Sequence, residues 1–264
     1  MFWTLIITPR YLKLTAMPEG PSIAILREEM QKLHLEGKKV LSVSGNTSID
    51  LERFPGETLK EFKSWGKHFL ICFEDFTLRI HLMMFGTYRI NERKETTPRI
   101  SLVFEGAELN FYTCSLKIIE GSLDAAYEWS ADVLSPHWDP KKAIKKLNLK
   151  PELLVCDALL NQEIFAGVGN IIKNEVLYRI RVHPLSTIGA LPPPQLKELV
   201  AEARIYSFEF LEWKKEFTLK KHWLVYNKRT CIRCKLPFHK DHLGKTKRRT
   251  FYCNNCQKEY LLEK

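Results

Sequence analysis

The sequence predicts an α+β protein with a β-rich N-terminal part, a helical middle part and a small C-terminal ribbon. Short apolar runs separated by turns extend from Val40 to about Ile119. Apolar residues at helical spacing follow between residues 139 and 212, and four cysteines cluster beyond residue 230. At 264 residues and 45% hydrophobic, the chain is long enough for two domains and a small module.

The chain contains a possible second start site, Met17, followed by Pro18-Glu-Gly-Pro21. Residues 1–16 hold a short apolar run but no basic region before it, so they lack the layout of a signal peptide. We interpret them as an N-terminal extension from an upstream start codon, or as a disordered leader.

Pro18 would be a free secondary amine beside the carboxylate of Glu19 if translation began at Met17 and that methionine were removed. An α-amino group titrates near pH 8, so about a tenth of it is unprotonated at neutral pH, and amines attack electrophilic carbon to form imines. The same nitrogen inside a peptide bond is not a nucleophile. The alternative is that this segment is an ordinary turn.

The β-rich part begins with a predicted helix over residues 22–35, which has apolar residues at helical spacing and Gly37 as a stop signal. The apolar runs after it predict strands, which we expect to form two packed sheets. These runs cover residues 40–43, 69–73, 77–81, 87–90, 100–104 and 109–112.

The helical part starts at Asp139, which precedes a proline and marks the domain boundary. Residues 151–180 predict a helix, a tight glycine turn and a second helix, and residues 193–212 predict another helix after a run of prolines. The turn contains Gly167 and Gly169. Backbone amides at the start of the next helix would then form an anion site, although a plain helix connection is an equally good interpretation.

Two CxxC knuckles, Cys231-Ile-Arg-Cys234 and Cys253-Asn-Asn-Cys256, are separated by 18 residues. Each places two thiolates on one tight turn, and together they complete a tetrahedral four-sulfur site for one structural Zn²⁺. Two disulfides or a redox pair are the alternative. The other three cysteines lie in apolar surroundings and are predicted to be buried small hydrophobes: Cys72, Cys114 and Cys156.

The chain is basic, with a formal net charge of +10, which suggests a polyanionic partner such as nucleic acid. Five of the basic residues lie in the segment 239–250 between the knuckles, at Lys240, Lys245, Lys247, Arg248 and Arg249. A ribbon with this charge could place an arginine against phosphates, or could be a solvated hairpin. His239 and His242 could be spare metal ligands, but four cysteines already fill a zinc shell.

Five blocks in one order resemble the formamidopyrimidine-DNA glycosylase and endonuclease VIII family over residues 17–264. The blocks are MPEGP at 17–21, WGKHFL at 65–70, HLMMFG at 81–86, LLNQEIFAGVGNIIKNEVLYRIRVHP at 159–184 and RRTFYCNNCQK with the knuckles at 248–258. The resemblance implies a catalytic β-sandwich domain with a helix at 17–135, a helix-two-turn-helix DNA-binding domain at 139–222 and a zinc ribbon at 225–264. It also implies excision of oxidised bases followed by cleavage of the DNA backbone.

By position in these blocks, Pro18 is implied to be the nucleophile that attacks deoxyribose C1′ of a flipped-out nucleotide, and Glu19 to move protons to and from the sugar. Lys67, Asn170 and Arg248 match the family's phosphate contacts, with Gly167 and Gly169 in the same DNA-binding turn. The wedge that fills the hole left by the base would be Met83, Met84 and Phe85. Their alternative role is as core residues of a strand.

Two departures from the family pattern stand out. Ser22 occupies a position that is usually glutamate, which removes one carboxylate from the catalytic corner. The arginine-arginine-phenylalanine-glycine loop of the formamidopyrimidine branch is absent from residues 110–118. With the MPEGP start, this favours the endonuclease VIII branch, whose substrates are mainly oxidised pyrimidines.

The sequence therefore predicts a bifunctional DNA glycosylase and abasic-site lyase. We expect its partner to be double-stranded DNA with oxidised bases or abasic sites, with no membrane partner, in a monomer of the bacterial cytoplasm associated with the nucleoid. If residues 1–16 remain attached, the alternative is a catalytically silent damaged-DNA binding protein. A third possibility is a zinc-ribbon adaptor for nucleic acid without lesion preference.

Overall fold

The computed structural model describes residues 18–262, so Met17 and the predicted extension at residues 1–16 lie outside the described residues. The N-terminal elements are α1 (Gly20–Gln31), β1 (Val40–Ser44), β2 (Glu61–Trp65), β3 (His68–Cys72), β4 (Phe76–Ile90), β5 (Ile100–Phe104), β6 (Ala107–Glu120) and α2 (Leu123–Ala126). The C-terminal elements are α3 (Pro140–Asn148), α4 (Val155–Ala158), α5 (Asn170–Arg179), α6 (Pro193–Lys215), β7 (His239–Leu243) and β8 (Arg248–Tyr252). Short 3₁₀ turns lie at Trp129–Ala131, Ile188–Ala190 and Leu219–His222.

The six N-terminal strands form one antiparallel sheet in the order β1-β5-β6-β4-β3-β2. The sheet folds over itself, because the long strands β4 and β6 change partners along their length: one end of β4 pairs with β3, and one end of β6 pairs with β5. The two halves share one core, in which the rings of Phe69 and Phe111 lie 5.9 Å apart. The predicted N-terminal β domain is confirmed, but its strands form one continuous sheet with two packed halves and not the two separate sheets that were expected.

The structure corrects the predicted strand count. Residues 77–81 and 87–90 belong to the single strand β4, which pairs with β6 on both sides of an irregularity. Strand β2 was not predicted, because only Phe62 of its five residues is buried and no apolar run marks it.

Helix α1 is shorter than predicted. It begins at Gly20 and ends at Gln31, whereas the apolar pattern favoured residues 22–35. The helical backbone does not continue to residue 35, because His34 adopts a left-handed conformation with a φ of 50°. Leu33 still packs against the core, but from the turn beyond the helix, so the apolar spacing continues past the helical backbone.

Helix α3 begins as predicted, since the Asp139 carboxylate caps it by accepting the N–H groups of Lys141 and Lys142. Of the helix predicted between residue 151 and the glycine turn, however, only the four-residue α4 is present. Among the described residues, no helix is both long and apolar enough to span a lipid bilayer.

Three glycines bring the two domains into backbone contact. The N–H of Gly20 donates to the carbonyl of Gly167 at 2.8 Å. A Cβ on Gly20 would lie 2.7 Å from Gly167 Cα, and one on Gly66 would lie 2.9 Å from Gly167 N. Because real Cβ atoms do not approach backbone so closely, side chains at these positions would push the sheet and the helical domain apart.

We predict that Gly66→Ala destabilises the protein more than Gly121→Ala. Both glycines have positive φ, and Gly121 has open space where its Cβ would be. The backbone strain alone is worth about 1–2 kcal/mol, and overpacking at Gly66 adds on the order of 1–3 kcal/mol. Urea unfolding of the two variants measures the difference. Equal losses of unfolding free energy would show that the close contact at Gly66 is unimportant.

Candidate active site

A cleft of about 430 Å³ opens where the sheet, the glycine turn and the ribbon meet. It brings together most of the site residues that the sequence predicts: Pro18, Glu19, Lys67, Met83, Met84, Gly169, Asn170 and Arg248. Gly167 and Phe85 do not line it. Seven further residues line the cleft that the sequence analysis did not single out: Trp65, His68, His81, Leu82, Leu160, Gln162 and Thr246.

Glu19 is the most buried ionisable group in the cleft, with 1% of its surface exposed. Its carboxylate accepts the N–H groups of Ile171 at 2.7 Å and Ile172 at 3.3 Å, at the start of α5. Gly169, which precedes this helix, has no side chain, and a Cβ there would collide with the Glu19 carboxyl group. Helix N-termini stabilise negative charge, so the fold provides a site for this carboxylate.

This geometry corrects the expected role of the glycine turn. The amides at the start of α5 do face an anion, but that anion is Glu19 of the same chain. A phosphate cannot use the Ile171 and Ile172 amides while the carboxylate occupies them. Gly167 and Gly169 serve close packing, the first against Gly20 and Gly66 and the second against Glu19.

Lys67 and Glu19 influence each other across the cleft. Burial raises the pKa of the Glu19 carboxyl group, and the Lys67 charge and the α5 amides oppose that shift. Burial lowers the pKa of Lys67, the Arg248 charge lowers it further, and Glu19 opposes the change. A carboxyl group whose pKa is raised by burial is suited to exchange protons with a substrate.

Ser22, the departure from the family pattern, is buried beside this corner. Its hydroxyl accepts the backbone N–H of Glu19 at 3.5 Å. The serine therefore supports the backbone of Glu19 and supplies no second carboxylate to the cleft.

Asn170 and Arg248 reach the cleft from α5 and β8. The Asn170 side-chain amide donates to the carbonyl of Arg249 at 2.9 Å, so one of its two hydrogens is already bonded. Arg248 is exposed, and its guanidinium has no hydrogen bond or ion pair within residues 18–262. Asn170 thus joins the helix to the ribbon, while Arg248 is free to bind an anion.

Met83, Met84 and Phe85 protrude from a bulge in β4. Leu82 pairs with Cys114 and Thr87 pairs with Tyr112, so four residues of β4 face a single residue of β6. Their side chains are 48%, 50% and 77% exposed. The interpretation of these residues as strand core is therefore wrong, because the bulge turns them away from the sheet.

His68 and His81, which the sequence analysis missed, face each other across β3 and β4 with ring centroids 5.3 Å apart. Each lies within a block quoted for the family resemblance, and the pairing register of β3 and β4 places them directly opposite each other. His68 Nδ1 is 3.1 Å from the Tyr127 hydroxyl, and His81 Nδ1 is 3.2 Å from the Lys67 carbonyl. Burial lowers the pKa of His68 to about 3, with smaller contributions from Arg79 and His81, so the ring is neutral near pH 7.

Four thiols converge at one end of the ribbon, those of Cys231, Cys234, Cys253 and Cys256. Their sulfurs lie within 4.8 Å of one another, and the Cys231 and Cys256 sulfurs are 3.7 Å apart. A tetrahedron of sulfurs about 2.3 Å from a central zinc has edges of about 3.8 Å, so the cluster can hold a metal ion. His239 does not approach it, because its ring stacks on Tyr252 and contacts Asn254.

The remaining cysteines match their predicted role, since Cys72, Cys114 and Cys156 are buried and unpaired.

Comparison with known proteins gives two family matches. Residues 17–114 match the family described as Formamidopyrimidine-DNA glycosylase N-terminal domain, and residues 130–208 match the Formamidopyrimidine-DNA glycosylase H2TH domain. A relative from Mycolicibacterium smegmatis, named DNA-(apurinic or apyrimidinic site) lyase Nei2, is 30% identical over 91% of this chain and 99% of that protein. Endonuclease 8-like 3 from Mus musculus is 29% identical over 79% of this chain, which spans only 36% of that relative's length.

Solved structures share the same fold. A Lactococcus lactis formamidopyrimidine-DNA glycosylase bound to DNA containing an abasic site aligns with a TM-score of 0.79 and 22% identity, covering 91% of this chain and all of that one. A viral DNA glycosylase aligns with a TM-score of 0.79 and 19% identity, covering 90% of this chain and 99% of that one.

We predict that His68 contributes to acid destabilisation. Its pKa is lower in the folded protein, at about 3, than its ordinary value of about 6.5, so the unfolded chain binds the proton first. Stability from the neutral ring is present above pH 6.5 and is lost as the pH falls toward 3. In urea titrations between pH 7 and 4, His68→Gln should flatten the pH dependence and His34→Gln, at an exposed histidine, should not. An unchanged slope in His68→Gln would contradict this assignment.

Proposed function

Since the chain belongs to the formamidopyrimidine-DNA glycosylase and endonuclease VIII family, we propose that it removes oxidised bases from DNA and cuts the strand at the resulting abasic site. The observation that carries this proposal is the position of Pro18 beside Glu19 in a cleft that also contains Lys67, Asn170 and Arg248. An amine, a carboxyl group of raised pKa and several cationic or amide groups suit covalent chemistry on a phosphodiester-linked sugar.

Pro18 acts as the nucleophile when its nitrogen is the chain terminus. The amine attacks C1′ of the nucleotide, the glycosidic bond breaks, and the base leaves with the proton that the amine loses. The nitrogen lone pair then breaks the C1′–O4′ bond, so the sugar ring opens, O4′ takes up a proton and C1′ becomes an iminium carbon. The resulting iminium draws electrons from C2′, so a C2′ hydrogen is lost as a proton and the 3′ phosphate departs by elimination. A second elimination releases the 5′ phosphate, and water hydrolyses the iminium to regenerate the amine.

Glu19 exchanges the protons that these steps require. Its carboxyl group directly follows the nucleophile, and burial raises its pKa, which makes the carboxyl group a better proton acceptor than an exposed glutamate. The α5 amides hold the carboxylate in one orientation, so the proton is transferred at a defined position.

The DNA backbone lies across the positive side of the cleft. Lys67 and Arg248 contact phosphates through their charges, and Asn170, which lines the cleft beside them, contacts the same backbone through its side-chain amide. Met83, Met84 and Phe85 enter the base stack from the β4 bulge, where their exposed apolar surface takes the place of the flipped base. Filling that space offsets a few kcal/mol of unstacking.

The substrate bases are oxidised pyrimidines. This finer assignment rests on the relative named Endonuclease 8-like 3 and on the absence of the formamidopyrimidine-type loop at residues 110–118.

The four-cysteine cluster holds Zn²⁺, which supplies folding energy to the ribbon and takes no part in the reaction. All four ligand positions of a tetrahedral ion are filled by thiolates, so no position remains for substrate.

Borohydride trapping on an abasic duplex tests the nucleophile. We expect a protein beginning at Pro18 to give a covalent adduct, and its Pro18→Gly variant to give less, because glycine offers a primary amine of different geometry. Glu19→Gln should still bind the duplex but release no base from thymine-glycol DNA. The 1–264 chain with Pro18 in a peptide bond should give no adduct at that residue.

Binding without any adduct, by the chain that begins at Pro18, would replace the enzyme with the damaged-DNA binding protein. Equal binding to damaged and intact duplex would favour the adaptor.

Loss of one metal ligand provides a separate test. Cys253→Ser should release metal, disorder the ribbon and weaken binding to abasic-analogue duplex, while the sheet keeps its near-ultraviolet circular dichroism. Cys72→Ser, at a buried cysteine outside the cluster, is the matched control. Unchanged DNA affinity in Cys253→Ser would refute the role of the ribbon.

A further inference from the structure

The turn between β7 and β8 is held by a buried aspartate of the helical domain. Asp157 lies on α4 with 7% of its surface exposed. Its carboxylate accepts the backbone N–H of Lys245 at 2.9 Å and that of Thr246 at 3.4 Å, and the Thr246 hydroxyl lies 3.4 Å away. None of these contacts was expected from sequence, because Lys245 and Thr246 lie 88 and 89 residues after Asp157 in the chain.

The turn is shaped to receive this carboxylate. Gly244 has a φ of 71°, and a Cβ there would collide with the Asp157 carboxyl oxygens. The turn carries the exposed Lys245 and Lys247, so it would otherwise be a solvated basic loop. A buried carboxylate accepting several turn amides fixes the backbone of such a loop.

Arg248 immediately follows the turn, and its backbone is linked to the helical domain through Thr250 of β8. Its carbonyl accepts the hydroxyl of Thr250 at 3.0 Å, and Lys173 Nζ donates to that hydroxyl at 2.7 Å. Asp157 therefore holds the backbone before Arg248, and Lys173 holds the backbone after it through Thr250. Together they fix the segment from which Arg248 extends into the cleft. Thr246, which Asp157 holds directly, also lines the cleft.

We propose that Asp157 is a positioning residue for DNA binding: it fixes the ribbon turn so that Arg248 meets a phosphate in one geometry. The zinc cluster orders one end of the ribbon and Asp157 orders the other, which carries the arginine. Asp157 itself does not touch the DNA. This inference rests on the proposed function only for its DNA-binding step.

The order of the turn can be tested without DNA. Trypsin cleaves after Lys245, Lys247 and Arg248, and mass spectrometry locates each cut. We expect Asp157→Ala to be cut there about tenfold faster than the wild type, since local opening free energy governs such cleavage and 1.4 kcal/mol is a tenfold change. Asp139→Ala is the matched control, because Asp139 also accepts two backbone N–H groups but caps α3 away from the ribbon. An unchanged cleavage rate in Asp157→Ala overturns the proposal.

Binding to a duplex with a tetrahydrofuran abasic analogue tests the link to Arg248. Asp157→Ala should weaken binding about tenfold and reduce the slope of log affinity against log salt by about one, as expected for loss of one phosphate contact. Asp157→Asn, which keeps one acceptor oxygen, should restore part of both effects. Metal content should stay that of the wild type.

A double-mutant cycle with Arg248→Ala separates positioning from general destabilisation. Asp157→Ala should weaken binding little further when Arg248 is already absent. A full additional loss in that background would show that Asp157 does not act through Arg248. If the wild type binds no abasic duplex, the proposed function fails, while the proteolysis result still decides whether Asp157 holds the turn.

Discussion

The structure depends on one interaction, the bond between the buried Glu19 carboxylate and the first amides of α5. It joins residues about 150 positions apart, and it holds the start of the N-terminal domain against the start of α5 in the helical domain. It is possible only because Gly169 leaves room for the carboxyl group and Gly20 and Gly66 let their backbones approach Gly167. The electrostatics of a helix terminus and the absence of three side chains therefore define the position of the cleft.

Helix α5 extends this arrangement to the ribbon. Its residues from Asn170 to Tyr178 are all buried, although four of them are polar or charged. Each polar side chain has partners on a neighbouring segment: Asn170 and Asn174 bond to β8, Lys173 to Thr250, and Glu175 to the amides of residues 224–226. Such a helix has no apolar face, and it connects three parts of the molecule because its buried polar groups need partners outside the helix.

Local features were the most predictable from sequence. The two CxxC knuckles, the Asp139 cap and the helix after the prolines each depend on a few neighbouring residues, and the structure contains all three. The family resemblance supplied most of the cleft, including Glu19, Lys67 and Arg248. What sequence reasoning missed depends on distant partners: the carboxylate that occupies the α5 amides, the contact of Asp157 with the ribbon turn, and the register change that creates the β4 bulge. The α1 boundary was missed for a different reason, because apolar spacing continues through a turn that is no longer helical.

The β4 bulge has an evolutionary consequence. Its three large side chains are exposed, and strand pairing is complete on both sides of it at Leu82 and Thr87. Substitutions there remove little buried surface, and exposed positions of this kind usually change stability by about 0.5 kcal/mol or less. These side chains, and the shape that they present to a partner, can therefore change during evolution without loss of the sheet or its core.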